Sequence, residues 1–569
     1  MIATAFAEVV SVGAIIPFLG ILVTPDAVYN HGITFRLIAL KGADPIERAK
    51  YATFFFSVTI IVAATLRTTL LWVKSRLSQA IGSELSIKLY KNALHSTYAV
   101  HIEENSSETI SLITTKVKVV VSHVILSSLN IIVSMMVFTG VIWMLITIDI
   151  DIALLSSLCF GFLYLVISLF SRRSLSEHGG RVNHFSATVL KSVQEGLGAF
   201  RDIKIDGSQN FYIKAYERAD KPMRHSLAML DFIGQGPRFI VEAVGMLIIA
   251  VLAYYLYAMK GNLIQSIPML GAFSLGAQRL LPTIQQCYNG WANIQAGRPA
   301  LIDILNKLYY IPNSKEAPAS NRLVKFEKVI SLREVFFTYK KSYSPALTGI
   351  NMEIRKGSRV GLVGKTGSGK STIVDILLGL INPCSGQLLV DDEIINDENR
   401  RDWQSKIAHV PQSIFIADAT IAENIALGIP LAEMDFVKIV ESANKAQLTI
   451  FSDDSINRLN DRMGEGGVKL SGGERQRIAI ARALYKRAEV IVFDEATSAL
   501  DHETENAITG SIFSLDRNMT IVIVAHRIET LSRCDDIFEL TQRGIVHHKS
   551  YYDYMKSQEY SLLDFKICR

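Results

Sequence analysis

The sequence predicts two domains of different class: an all-α membrane domain of six spanning helices, then an α/β domain built around a phosphate-binding loop. Three observations carry this. Apolar runs long enough to cross a bilayer crowd into the residues before 285. Lys and Arg gather in the two long polar stretches between those runs. After residue 325 short β-rich runs alternate with helical stretches, and one of these opens on a Gly-rich loop.

The 569 residues are 49% hydrophobic and 20% charged, with a mean hydropathy of +0.26. That balance excludes a disordered or fibrous chain, and apolar surface in such excess needs lipid to cover it, which argues against a wholly soluble enzyme. The net charge of +5 is unevenly placed. The first 300 residues hold 25 basic and 18 acidic side chains, and the remainder 34 and 36. The positive excess therefore lies in the apolar half, which points to a membrane surface and not to nucleic acid. Cys159, Cys287, Cys384, Cys534 and Cys568 form no C-x-x-C pair, so neither a disulfide framework nor a zinc site is expected.

A spanning helix needs about 20 mostly apolar residues. The predicted spans are 2–23, 51–73, 119–147, 151–170, 239–259 and 263–284. Only Ile148-Asp149-Ile150 joins the third to the fourth, and only Lys260-Gly261-Asn262 the fifth to the sixth, so both pairs are tight hairpins turning on one side of the membrane. The polar stretches 74–118 and 171–238 carry Lys74, Arg76, Lys116, Arg172, Arg173 and Arg181 among other cations, which places them in the cytosol. The second half follows on the same side, giving a multi-pass protein of the cytoplasmic (inner) membrane. The first apolar run has no basic lead and contains Glu8, so it reads as a span and not as a cleaved signal. The chain is expected to begin inside that span, from a truncated or misassigned start. The expected boundaries are 1–300 for the membrane domain, 301–325 for a linker, 326–550 for the α/β domain and 551–569 for a tail.

Gly364 to Ser371 reads G-x-x-x-x-G-K-S, after the apolar strand SRVGLV and before the helix STIVDILLGL. That context defines a P-loop. Backbone N–H groups turn inward around phosphates through Gly364, Lys365, Thr366, Gly367, Ser368 and Gly369, and the helix start at Lys370, Ser371 and Thr372 adds partial positive charge. Lys370 reaches the terminal phosphates and Ser371 offers its hydroxyl to Mg²⁺. Downstream, the apolar run Val490–Phe493 ends in Asp494 and Glu495. Asp494 suits the Mg²⁺ water shell, and Glu495 suits a general base for attacking water.

Leu470-Ser471-Gly472-Gly473-Glu474-Arg475-Gln476 then completes a resemblance. From about residue 326 to 545 the chain resembles the nucleotide-binding domain of ABC transporters, whose signature is this sequence. The resemblance implies ATP as ligand and Mg²⁺ as cofactor. It further implies that Tyr339 stacks on adenine, that Gln412 senses Mg²⁺ and water, that Asp501 belongs to the D-loop and that His526 contacts the γ-phosphate. Gly464-Glu465-Gly466 resembles the short loop before the signature. In that family Ser471, Gly472, Gly473 and Glu474 serve ATP held by a partner, so a homodimer is implied, with a heterodimer of two half-transporters as the alternative. Short coupling helices are expected within about 95–110 and 200–220.

The membrane half is similar to bacterial lipid-linked oligosaccharide flippases through three pieces: Glu8 to Phe18, Pro237 to Glu242, and Arg279 to Pro282. Arg67, Arg238 and Arg279 lie toward the cytosolic ends of three spans, where snorkelling to headgroups and a basic cavity for a phosphate-bearing lipid are both open. Glu8 and Glu242 are their candidate partners. The resulting expectation is ATP-driven flipping or export of a lipid-linked oligosaccharide or related lipid, with a multidrug, peptide or phospholipid exporter as the alternative.

Overall fold

The computed structural model describes residues 2–14, 18, 45–148, 150–260, 263–309, 324–340, 342–448, 459–494, 509–510, 512–513, 515–525, 528–541 and 544–557. Two compact units divide the chain. One comprises Met1–Ser96 and Val100–Pro312, the other Asn313–Arg569 with Thr97–Ala99.

The first unit is helical throughout its described residues. α1 is Ile2–Gly13 and α2 is Pro45–His95. The 51 residues of α2 measure about 75 Å at 1.5 Å per residue, against the ~30 Å of a bilayer's hydrocarbon core, so the predicted span 51–73 continues into a long polar extension. Pro45 begins the helix, where its missing N–H costs nothing. The short α3, Tyr98–Glu103, and α4, Ser106–Ser111, follow. Asn105 caps α4, its side chain accepting from Ser107 N at 3.0 Å. The helical path then widens into π turns at Leu112–Lys116 and Val120–Ile125 before α5, Leu126–Ile148.

α6, Ile150–Gly198, starts almost where α5 ends, as a tight hairpin requires. α7, Phe200–Asp206, stops at Gly207, whose φ of 65° is the left-handed stop that glycine supplies cheaply. α8 is Gln209–Gln235, α9 is Pro237–Lys260 and α10 is Leu263–Tyr309. Short helices thus stand in both windows named for coupling helices. The predicted spans from residue 51 onward lie on helical segments, and of the first span Ile2–Gly13 is helical while 15–17 and 19–23 lie outside the described residues. Among the described residues, Ala49–His95 and Ser106–Trp143 are long and apolar enough to cross a membrane.

The second unit holds two sheets. β1 (Val329–Phe337), β2 (Leu347–Arg355), β4 (Ser385–Val390) and β5 (Glu393–Ile394) make an antiparallel sheet in the order β2-β1-β4-β5. The sequence reading anticipated the parallel sheet and not this one. Its strands alternate buried and exposed side chains, β2 most regularly, which suits a sheet with one wet face. The other sheet runs β10-β9-β3-β8-β7-β6. Its parallel part is β9 (Asp536–Thr541), β3 (Arg359–Gly364), β8 (Thr520–Val524), β7 (Val490–Asp494) and β6 (Ile407–Val410), while β10 (Gly544–His548) pairs antiparallel with β9. Every residue of β8 and the first four of β7 are buried, the continuous apolar run of a strand covered on both faces. α11, Lys370–Leu377, packs with β3 and β7 into one core, into which Trp403 of α12 (Arg400–Lys406) inserts and donates Nε1–H to Leu377 O at 2.7 Å. A second core joins α13 (Ile421–Ile425), α14 (Phe436–Lys445) and α15 (Gly472–Tyr485).

Candidate functional site

The register of the parallel sheet lines up the candidate residues. Leu362 of β3 pairs with Val524 of β8, Val524 with Asp494 of β7, and Phe493 with Val410 of β6. All four strands therefore end on one edge, which is where α/β sheets bind ligands. The P-loop leaves β3 there, Asp494 ends β7, and Gln412 lies two residues beyond β6, exposed. At ~4.8 Å per strand, Asp494 stands about 10 Å from the P-loop strand.

The loop is built by backbone conformations that side chains resist. Gly364, Gly367 and Gly369 have φ of 152°, 80° and 102°. A Cβ on Gly369 would lie 2.7 Å from Ala346 O, and one on Gly364 would lie 2.7 Å from both Leu540 O and Ser368 Oγ. Lys370 is buried, and its Nζ donates to the loop's own carbonyls, Gly364 O at 2.8 Å and Lys365 O at 3.2 Å. Ser368 Oγ is buried with no hydrogen-bond partner among the described residues. An orphaned hydroxyl, a buried ammonium and a glycine cradle at the start of α11 together fit a phosphate chain. Ser371, exposed in the first turn, and Asp494 supply the hard oxygen donors that Mg²⁺ takes.

Tyr339 lies beside this loop. Its ring meets Phe337 edge-on at 4.9 Å, and its hydroxyl is 3.2 Å from Thr372 Oγ1. Asp375, one turn further along α11, was missed by the sequence reading. Its carboxyl is pushed up to about 6 by burial and by the negative charge of Asp494, so the two acids share one neighbourhood. The signal was an acid in the middle of the apolar run STIVDILLGL.

The signature forms the start of α15. Ser471 is its N-cap and closes a capping box with Glu474: Glu474 N donates to Ser471 Oγ at 3.2 Å, and Ser471 N donates to Glu474 Oε2 at 2.8 Å. Gly473 is buried, while Ser471 and Gly472 are exposed at the helix end. Gly464, Gly466 and Gly467 all have positive φ in the turn before it. Glu495, Asp501 and His526 lie outside the described residues.

In the membrane half, Arg238 Nε donates to Glu242 Oε1 at 2.7 Å, one helical turn away on α9. Arg67 sits within α2. The side chains of Glu8 and Arg279 lie outside the described residues.

These features define a P-loop ATPase domain joined to a helical membrane domain. The chain belongs to the ABC transporter family: the family's transmembrane region matches residues 19–276 and its ABC transporter domain matches residues 347–498. It is 31% identical over 388 residues to an ATP-dependent lipid A-core flippase of Shewanella frigidimarina (strain NCIMB 400), covering 67% of this chain and 63% of that protein. It is 30% identical over 396 residues to the uncharacterized ABC transporter ATP-binding protein YknU of Bacillus subtilis (strain 168), covering 68% of this chain and 66% of that one. The chain thus spans just under two thirds of the length of these two relatives. Over 97% of its length it is 26% identical to the heterocyst differentiation ATP-binding protein HepA of Nostoc sp., covering 90% of that protein. A structure of a bacterial Atm1-family ABC exporter with ATP bound shares the fold, with a TM-score of 0.76, 22% identity and 96% of each chain covered.

Proposed function

We propose that this chain is half of a dimeric exporter that uses ATP hydrolysis to flip or export a phosphate-bearing lipid, of the lipid-linked oligosaccharide or a related class, across the cytoplasmic membrane. The observation that carries the energetic part is the common edge on which the P-loop, Asp494 and Gln412 stand. Lys370 holds the terminal phosphates, exchanging the carbonyls of Gly364 and Lys365 for phosphate oxygens. Ser371, Asp494 and Gln412 would hold Mg²⁺, whose charge offsets that developing on the transferred phosphoryl group. Glu495 takes a proton from the attacking water, and His526 orients the γ-phosphate. Ser471 at the start of α15 meets the phosphate bound by a second chain, so a homodimer completes two equal sites. ATP binding moves the membrane half only through its different affinity for the separated and closed pairs.

The lipid part is supported by the lipid A-core flippases among the relatives and by Arg67, Arg238 and Arg279, which the sequence places toward the cytosolic ends of three spans. Substrate-stimulated ATPase activity in proteoliposomes, measured across a panel of phospholipids, lipid-linked pyrophosphates and drugs, tests it. Stimulation by the lipid pyrophosphates, lost when the three arginines are replaced together by Ala, is expected. Stimulation by drugs or peptides alone would sink the lipid reading and leave the exporter reading standing.

A further inference from the structure

Where the fourth span ends, α6 and α10 flank an open groove of about 330 Å³ whose charged side chains are exposed and mostly basic. α6 contributes Arg172, Arg173, Ser176 and Glu177, and α10 contributes Gln295 and Arg298. The two helices are fixed to each other at two levels along it. Near its Leu169 end, Tyr288 Oη donates to Ile233 O at 3.0 Å and accepts from Ser171 Oγ at 3.2 Å. Between Gln295 and Arg298 the backbones touch: a Cβ on Gly179 would lie 2.4 Å from Ala296 O. The sequence offset of 117 at the first fastening recurs at the second, so the helices run side by side in constant register. Eight residues of helix separate the fastenings, about 12 Å. The groove therefore runs along two helices held in fixed register.

Its charge is unbalanced. Arg173 Nε is met by Glu177 Oε1 at 2.9 Å. Among the described residues neither Arg172 nor Arg298 has an ion-pair partner. Three guanidinium groups thus face one carboxylate, with the Ser176 hydroxyl and the Gln295 amide beside them as neutral donors. Its depth is set by the sequence. Leu169, which also lines the groove, and Phe170 are 66% and 82% exposed, as lipid-facing side chains at the end of an apolar span should be, and the cations follow at once. Arg172 and Arg173, immediately cytosolic of the span, stand at the height of the phosphates of the inner leaflet, and Arg298 joins the same groove from its cytosolic end.

We propose that this groove is a binding site for the headgroup phosphate of an anionic phospholipid of the inner leaflet, with Arg172 and Arg298 as the planar donors that pair with it. The acyl chains leave past Leu169 and Phe170 into the bilayer. Its lining includes none of Arg67, Arg238 and Arg279, and the assignment does not depend on which substrate is transported.

Retention of 1-palmitoyl-2-oleoyl phosphatidylglycerol by the detergent-solubilised, nucleotide-free full-length protein, followed by native mass spectrometry against the matching phosphatidylcholine, tests this. Wild type is expected to hold phosphatidylglycerol about tenfold more tightly, the worth of one or two charge-assisted hydrogen bonds. The Arg172→Ala/Arg298→Ala variant is expected to lose that preference, and Arg172→Lys/Arg298→Lys to keep most of it, which guards against loss through misfolding. Glu177→Gln removes the competing carboxylate and should strengthen retention. Equal retention of the two lipids by wild type, or an undiminished preference in a folded double-Ala variant, overturns the proposal. Displacement of phosphatidylglycerol by inorganic phosphate at millimolar concentration overturns the lipid assignment in favour of a free-phosphate site. The readout involves no ATP turnover, so its failure is distinct from failure of the transport reading.

Discussion

Arg482 grips Asn424 at two points. Its Nε donates to the Asn424 carbonyl at 2.5 Å and its Nη2 to Asn424 Oδ1 at 3.0 Å, while Nη1 reaches Phe415 O at 2.7 Å. Asn424 is fully buried and uses its amide on Ala417 O and Thr420 O, at 3.1 and 3.0 Å. The guanidinium on α15 therefore latches the signature helix to the segment that follows Gln412. Arg482→Ala leaves two backbone carbonyls and Oδ1 without this donor in a half-buried place. A loss of about 2–4 kcal/mol is expected, seen as a lower Tm of the full-length protein. Arg482→Lys should recover little, because an ammonium cannot make the forked contacts. A Tm unchanged in both variants would show that the latch is decorative.

Nothing in the sequence pattern pointed to that latch, because an Arg in A-I-A-R-A-L reads as an ordinary helix cation until tertiary structure brings residues 415–424 to it. The P-loop was legible for the opposite reason: its glycines, its lysine and its flanking strand and helix are contiguous, so local spacing states the geometry. The shared edge of β3, β7 and β6 could be inferred only from the parallel order of the strands. The antiparallel sheet was missed because its strands, spread over residues 329–394 and interrupted by the P-loop and α11, give no hairpin signal between β1 and β4. Asp375 was hidden inside an apolar run that reads simply as a buried helix.

Ser471 caps α15 and is proposed to meet a partner's phosphate, and one substitution can separate the two. As N-cap it stabilises α15, so Ser471→Ala should cost about 1 kcal/mol of stability. As the group that meets a partner's phosphate it should also be needed for turnover. Ser471→Asp keeps a capping acceptor but places negative charge where the phosphate arrives. Its Tm is expected to stay near wild type while ATPase activity falls at least tenfold. Activity preserved in Ser471→Asp would remove the phosphate role.

Glu495→Gln keeps shape and hydrogen bonding but cannot take a proton from water. ATP binding and ATP-dependent dimerisation should persist, and steady-state hydrolysis should drop by roughly 10²–10⁴-fold, the usual contribution of a general base. Radiolabelled ATP retention and phosphate release separate the two effects. Wild-type turnover in this variant assigns the base elsewhere.

Glu489 joins two cations: Lys406 Nζ at 2.5 Å from Oε1 and Lys356 Nζ at 3.1 Å from Oε2. Burial alone would raise its carboxyl, but the hydrogen bonds and charges of Lys406 and Lys356 outweigh it and hold the group below its ordinary 4.5. A depressed folded value means that the ion pairs stabilise the fold above about pH 4.5 and that this contribution fades as pH falls through the lower, folded value. Glu489→Gln should therefore lower stability by about 1 kcal/mol at pH 7, a modest figure because the pairs are partly solvated. Thermal unfolding from pH 7 down to pH 4 should show the gap between variant and wild type closing only below pH 5. A gap independent of pH would assign the loss to packing.

Lys116 is 5% exposed, and its ammonium lies 2.5 Å from Asp303 Oδ2, which also accepts from Asn183 Nδ2 at 2.8 Å. This cluster ties the π turn at Leu112–Lys116 to α6 and α10. Lys116 is buried but Asp303 is about a third exposed, so Asp303→Asn strands a buried ammonium beside partly solvated surroundings and should destabilise the helical unit by about 1–3 kcal/mol. Replacing both charges with apolar side chains of similar volume, Lys116→Met with Asp303→Leu, removes the stranded charge along with the attraction, and Tm should recover most of the loss. Asn183 then loses an acceptor, which keeps the recovery short of complete. The decisive quantity is the coupling in the double-mutant cycle of the full-length protein. A coupling comparable to the Asp303→Asn loss identifies a true ion pair within the helical bundle, whereas additive effects would show that Lys116 reaches water and that Asp303 answers mainly to Asn183.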